Sequence, residues 1–165
     1  GKGKFCTEMA VKNPDVLYIA LERDTSVILA AIEKAHNEEI PNLFFLNADA
    51  NLIDNYFDEN EIDRIYLNFS DPWSRRNKPK RRLTYRDFLN KYRVILKDGS
   101  QIEFKTDNDD LFEFSLEEFK ETGFTLEDVT YDLHNSEFDK DNVRTEFEQK
   151  FADDGINIKR VVAKM

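Results

Sequence analysis

Residues 16–36 read VLYIALERDTSVILAAIEKAH, and their order decides the class of fold. Val16 to Leu21 is a short apolar run bounded by Pro14-Asp15 and by charges. A run of this length predicts a strand buried on both faces. Thr25 to His36 then places apolar residues at helical spacing, with Asp24 or Thr25 as N-cap.

The same alternation continues outward. Upstream, Gly1 to Phe5 (GKGKF) leads into a helix ending near Asn13-Pro14. Downstream, Leu43 to Leu46 (LFFL) reads as a second buried strand, Asn51 to Phe57 as a short helix, and Arg64 to Phe69 (RIYLNF) as a third strand. Thr84 to Leu96 reads as a helix with Phe88, Leu89, Tyr92 and Leu96 along one side, stopped by Lys97-Asp98-Gly99. Gln101 to Lys105 gives a fourth strand and Leu111 to Thr122 a helix ending at Gly123. Phe124 to Leu133 and Ile156 to Ala163 are two late strands, separated by a charged helix around Thr145 to Ala152.

Strands alternating with helices predict an α/β fold with a mostly parallel sheet flanked by helices, the last two strands forming an antiparallel edge. No repeat, low-complexity segment or linker interrupts the pattern, so a single domain over residues 1–165 is expected.

Composition narrows the class further. With 40% hydrophobic residues and 14 Phe among 165 residues, burial can offset the ordering entropy and the chain should fold. No apolar run approaches the roughly 18 residues that cross a membrane. The single Cys6 excludes an internal disulfide and suits a reducing, cytoplasmic setting. His36 and His134 show no ligand spacing and read as surface or helix-end residues, so no metal is expected.

The net charge of −10 argues at first against a nucleic-acid partner. Its distribution reverses that. Ser74 to Arg82 (SRRNKPKRR) carries +6 with no acid, which leaves −16 on the rest of the chain. Six cations this close repel one another unless a polyanion is present, as in phosphate binding; the competing reading is a solvated loop.

Ligands of open α/β sheets sit at the carboxyl ends of the strands, which here means Glu22-Arg23, Asp49, Ser70-Asp71 and Thr106-Asp107. Any one acid there can simply cap the next helix; four in a row favour a site. Gly1-Lys2-Gly3 resembles the tail of a glycine-rich turn after a first strand, where glycines permit close backbone approach and tight helix packing. Glu22 lies 19 residues after Gly3, a spacing at which a carboxylate accepts from both ribose hydroxyls of an adenosine cofactor. Asp49 is placed to meet the adenine amino group. This pattern does not separate NAD from S-adenosylmethionine. Such a turn follows a strand, so a first strand is expected before Gly1.

Arg64 to Arg82, RIYLNFSDPWSRRNKPKRR, continued by Leu83-Thr84-Tyr85, closely resembles the signature of bacterial tRNA (guanine-N7)-methyltransferases. GKGKF, YIALE (18–22), NADA (47–50), FKTDN (104–108) and TEFE (145–148) resemble further motifs of that family, in family order.

The resemblance implies a Rossmann-like methyltransferase fold that uses S-adenosylmethionine to methylate N7 of the guanine at position 46 in the tRNA variable loop. It implies cofactor contacts at Gly1, Gly3, Glu22, Asp49 and Asp71, with Asp71 also catalytic. It further implies tRNA contacts at Arg75, at Asn77, Lys78, Pro79, Lys80, Arg81 and Arg82, at Asp107, and at Thr145, Glu146, Phe147 and Glu148. The family commonly has Pro and Lys where this chain has Ser74 and Arg75, which keeps the charge but makes a phosphate contact bidentate.

Read from physics alone, several of these residues have a second use. Asp71-Pro72 also suits a rigid turn, and Trp73 either packs or stacks on a base. Asp107 also suits a helix cap, and Thr145 with Glu148 matches the capping box S/T-x-x-E. Two other classes compete with the methyltransferase. A nicotinamide-dependent oxidoreductase would use the glycine turn and Glu22 but leave the basic run unexplained. A non-catalytic RNA-binding module would use the run but leave Glu22 and Asp49 idle.

Overall fold

In a computed structural model describing residues 3–74 and 78–165, the chain forms two compact units. The first comprises residues 1–50 and 141–150, the second residues 51–140 and 151–165.

In the first unit, helix α1 (Lys4–Lys12) leads to strand β1 (Tyr18–Glu22), helix α2 (Thr25–Asn37) and strand β2 (Leu43–Asn47). β1 and β2 pair in parallel from Tyr18 opposite Leu43 to Glu22 opposite Asn47. Asp24, rather than Thr25, caps α2: its carboxylate accepts from the backbone N–H groups of Ser26 (2.9 Å) and Val27 (3.2 Å). α2 buries Ile28, Ala31 and Ala35, one stripe at helical spacing.

The small core here is Ala10, Ala35 and Leu43, joined by Cys6, Tyr18, Ala20, Ile40 and Phe45. Alternate residues of a strand face opposite ways, so Tyr18, Ala20, Leu43 and Phe45 share the covered face. Ile19 and Phe44 point to the other and are 42% and 56% exposed. The expectation that VLYIAL is buried on both faces is therefore corrected. Val16 and Leu17 also precede the strand and are exposed.

The second unit holds a short helix α3 (Ile53–Tyr56), strand β3 (Ile62–Asn68), helix α4 (Arg86–Ile95), strand β4 (Leu96–Thr106), helix α5 (Asp109–Glu121), and strands β5 (Thr125–Thr130) and β6 (Lys159–Lys164). Helix α6 (Glu146–Asp153) starts in the first unit and ends in the second. The sheet order is β3-β4-β6-β5, with β3 and β4 parallel and β6 antiparallel to both its neighbours. The antiparallel edge expected of the last two strands is present, with β6 placed inside β5.

Ile102, Phe104, Leu111, Phe112, Phe119, Val161 and Ala163 form the buried centre of this unit together with Phe88, Leu89, Tyr92 and Ile95 of α4. α4 does not end on Gly99 as expected. It stops at Ile95 because Leu96 is already extended, and β4 begins at once. Gly99, with φ of 79°, instead lies where β4 bulges between the pairs Ile62–Leu96 and Arg64–Gln101, a conformation that suits glycine.

Candidate active site

The nucleotide-binding residues expected from the sequence fall in the first unit. Gly3 sits at the N-terminus of α1 with φ of 94°. A Cβ there would lie 3.0 Å from Ala31 Cβ and 3.3 Å from Ala31 Cα, so Gly3 lets the start of α1 rest against α2. Glu22 ends β1 and is partly buried; its Oε1 accepts from the backbone N–H of Asp24 at 2.9 Å. Asp49 follows β2 by two residues and is partly buried. Since Glu22 and Asn47 are register partners, the two acids leave the same ends of adjacent strands. Gly1 lies outside the described residues.

Thr145 is the N-cap of α6: its Oγ1 accepts from the Glu148 N–H at 3.0 Å. Only half of the expected capping box is seen in these bonds. Glu148 is fully buried and its Oε2 accepts from Asn142 Nδ2 at 2.7 Å, so the carboxylate is turned to a side-chain partner. Glu146 and Phe147 are exposed, Phe147 by 53%.

The second unit carries the remaining acids and the described part of the basic run. β3 and β4 are neighbours with Asn68 opposite Lys105, so Asp71 and Asp107 also leave adjacent parallel strands at the same end. Between Asn68 and Ser74 the backbone turns through two left-handed aromatic residues, Phe69 (φ 54°) and Trp73 (φ 45°). Bulky side chains rarely adopt this conformation, and such strain concentrates at functional sites. Asp71 is exposed, and its Oδ1 accepts from the Trp73 N–H at 2.9 Å, closing an Asx turn.

Trp73 gathers cations rather than entering the core. Lys78 Nζ lies 5.5 Å and Arg81 Cζ 5.1 Å from its ring centroid, within cation–π range. Pro79 to Arg81 form one 3-10 turn, which leaves Lys80 and Arg81 exposed.

Arg82 is different. It is 7% exposed; its Nε donates to the Pro72 carbonyl (2.8 Å), its Nη2 to Asp110 Oδ2 (3.0 Å), and its guanidinium stacks 4.5 Å from the Phe114 ring. Arg82, which was expected to contact RNA with the rest of the run, is thus enclosed, with its guanidinium paired within the protein. Arg75 and Asn77, which were expected to contact RNA, lie outside the described residues.

Asp107 does not cap α5. Asn108 does, accepting from the Leu111 N–H at 2.8 Å. The Asp107 carbonyl accepts instead from Lys159 Nζ (3.0 Å), a buried ammonium that also reaches the Asn157 carbonyl (3.0 Å) and Asp109 Oδ1 (2.6 Å). Asp110 and Lys159 escaped the reading of the sequence. One lies in a run of acids that reads as helix-start charge, the other at the head of an apolar strand. Among the described residues no group of three or more His, Cys, Asp or Glu is placed to hold a metal ion, and no helix is long and apolar enough to cross a membrane.

Solved structures place this architecture. An antibiotic-related methyltransferase superposes with a TM-score of 0.68 at 21% identity, over all of this chain and 83% of that one. A Methanococcus jannaschii fibrillarin pre-rRNA processing protein does so at 0.66 and 16%, over 99% of this chain and 62% of that one. The fold is the Rossmann-like fold of the S-adenosylmethionine-dependent methyltransferases.

Sequence comparison is more specific. Residues 1–161 match the family described as "Putative methyltransferase". A tRNA (guanine-N(7)-)-methyltransferase of Geobacillus sp. (strain WCH70) is 51% identical over 164 residues, which is 99% of this chain and 74% of that protein. The chain belongs to the bacterial tRNA (guanine-N7)-methyltransferase family.

Proposed function

We propose that the protein transfers a methyl group from S-adenosylmethionine to N7 of a guanine in tRNA, at position 46 as the family resemblance implies. The observation that carries this reading is the turn at Asp71. An exposed carboxylate is held by its own backbone at the carboxyl end of β3, two residues from a tryptophan on which Lys78 and Arg81 are gathered. A relative named for this activity, 51% identical along nearly the whole chain, supports the same reading.

The donor set suits the cofactor. Glu22 and Asp49 are carboxylates at the ends of neighbouring strands and accept hydrogen bonds only, which matches the ribose hydroxyls and the adenine amino group. When bound, S-adenosylmethionine supplies an electrophilic methyl on a sulfonium sulfur.

The chain's own contribution is positioning and charge. Guanine N7 carries a free lone pair at neutral pH, so no residue has to remove a proton before attack. Positive charge develops on the purine during transfer, and a fixed carboxylate beside it is stabilising where that charge appears. Asp71 takes this role, and it selects guanine by accepting from N1–H and the exocyclic amino group. Lys78, Lys80 and Arg81 hold the RNA backbone; Asp107 and the Thr145–Glu148 segment complete the RNA contacts. Methyl transfer to unmodified tRNA followed by nucleoside analysis tests the proposal. The expected product is 7-methylguanosine, and a methyl on any other atom overturns it.

A further inference from the structure

We infer that Arg82 and Asp110 position the Asp71 carboxylate, and that Arg82, although it ends the basic run, binds no phosphate. This rests on the reading of Asp71 above. A peptide bond is planar and trans, so its carbonyl and its N–H point in opposite directions from one rigid plate. The plate joining Pro72 to Trp73 is gripped on both sides. Its oxygen accepts from Arg82 Nε at 2.8 Å, and its N–H donates to Asp71 Oδ1 at 2.9 Å. Fixing the carbonyl therefore fixes the direction of the N–H, and with it the carboxylate that the N–H holds. Trp73, at φ of 45°, would relax from this conformation if it were not held.

The far side of the guanidinium is tied as well. Arg82 Nη2 reaches Asp110 in the first turn of α5, where a carboxylate is favoured by the helix dipole. Asn108 caps the same turn, and Lys159 binds Asp109 and the Asp107 carbonyl. The start of α5 thus anchors both loops that carry site acids in this unit: the Asp71 turn through Arg82, the Asp107 turn through Lys159. Lysine cannot replace arginine here, because one ammonium does not offer the planar fork that spans a carbonyl and a carboxylate.

The test compares Arg82→Lys, Arg82→Gln, Asp110→Asn and Arg81→Gln in the full protein. Three quantities are measured: kcat and KM for methyl transfer to unmodified tRNA, tRNA affinity across a salt series, and acrylamide quenching of Trp73, the single tryptophan. Arg82→Lys and Asp110→Asn should lower kcat by roughly 10- to 100-fold through misplacement of Asp71. KM and the salt slope should stay near wild type, and Trp73 should become more quenchable. Arg81→Gln should instead flatten the slope of log affinity against log salt by about 0.7 to 0.9, the loss of one phosphate contact.

The inference is overturned if Arg82→Gln flattens the slope as much as Arg81→Gln does. It is equally overturned if Arg82→Lys and Asp110→Asn leave both kcat and quenching unchanged. Should Arg82→Gln fail to fold, Asp110→Asn, which leaves Arg82 itself unaltered, still tests the positioning role through kcat and quenching. A wild-type protein that does not methylate tRNA would sink the proposed function, while the quenching and salt slope would still judge Arg82.

Discussion

Replacing Gly3 by alanine should destabilise the first unit by an amount that the geometry allows to be worked out. At φ of 94° an alanine backbone is strained in the left-handed region, at a cost of about 1–2 kcal/mol. Its Cβ would also sit 3.0 Å from Ala31 Cβ and 3.3 Å from Ala31 Cα, tighter than carbon atoms pack, and overpacking of this kind costs about 1–3 kcal/mol. The sum is about 2–5 kcal/mol, or a fall in Tm of roughly 4–20 °C at the 2–4 °C per kcal/mol expected for a chain of this size.

Gly155→Ala provides the control, since Gly155 has φ of 74° and nothing within 4 Å of an added Cβ. It should show only the backbone part, about 1–2 kcal/mol. The close contact can be isolated by a double-mutant cycle. Ala31→Gly removes the nearer atom, so the double variant should be more stable than the two single losses predict, by about 1–2 kcal/mol. Thermal melting followed by circular dichroism, without ligand, measures the wild type and the four variants. If Gly3→Ala costs no more than Gly155→Ala and the cycle shows no coupling, Gly3 is not where α1 and α2 need their room.

Three further outcomes follow from other contacts. Asp71→Asn should lower kcat by roughly 10²- to 10³-fold, as for a lost preorganised charge; near-wild-type turnover would remove the electrostatic role. The cap bonds from Ser26 and Val27 hold the Asp24 carboxyl below its usual value of 3.8, so its stabilisation is present above that pH and lost as pH falls through the folded-state value. The Tm gap between wild type and Asp24→Ala should accordingly be full at pH 7 and shrink below about pH 4, as a melting series in pH would show. Lys159→Met should destabilise the second unit by about 1–3 kcal/mol, since two carbonyls and the exposed Asp109 lose a buried ammonium; chemical denaturation measures it.

The order of strands and helices was legible because each element carries its own period. Ile28, Ala31 and Ala35 repeat at helical spacing, as do Phe88, Leu89, Tyr92 and Ile95, and all are buried. Burial on the far side of a strand was not legible, because an apolar run such as VLYIAL does not say how many of its faces are covered.

The acids at strand ends were legible because neighbouring parallel strands run the same way and so end side by side. Glu22 with Asp49, and Asp71 with Asp107, leave adjacent strands as that rule requires. What stayed hidden was the division within the basic run. Lys80, Arg81 and Arg82 are alike in charge, and only three-dimensional contact shows that the third faces Pro72, Asp110 and Phe114 while the other two are exposed. Likewise either Asp107 or Asn108 suits a cap by type, and the turn geometry chose the second.

The place of β6 between β4 and β5 has a consequence for how the protein is made. Lys164 pairs with Gln101 on one side and Thr125 on the other, so β5 has no strand to join until the last of these residues has left the ribosome. The nascent chain must carry β4 with an open edge through the synthesis of everything between, and such edges recruit other strands. A chain truncated before residue 159 would lack β6 altogether, with β5 unattached. The six residues of β6 therefore decide whether this sheet is completed or left with open edges.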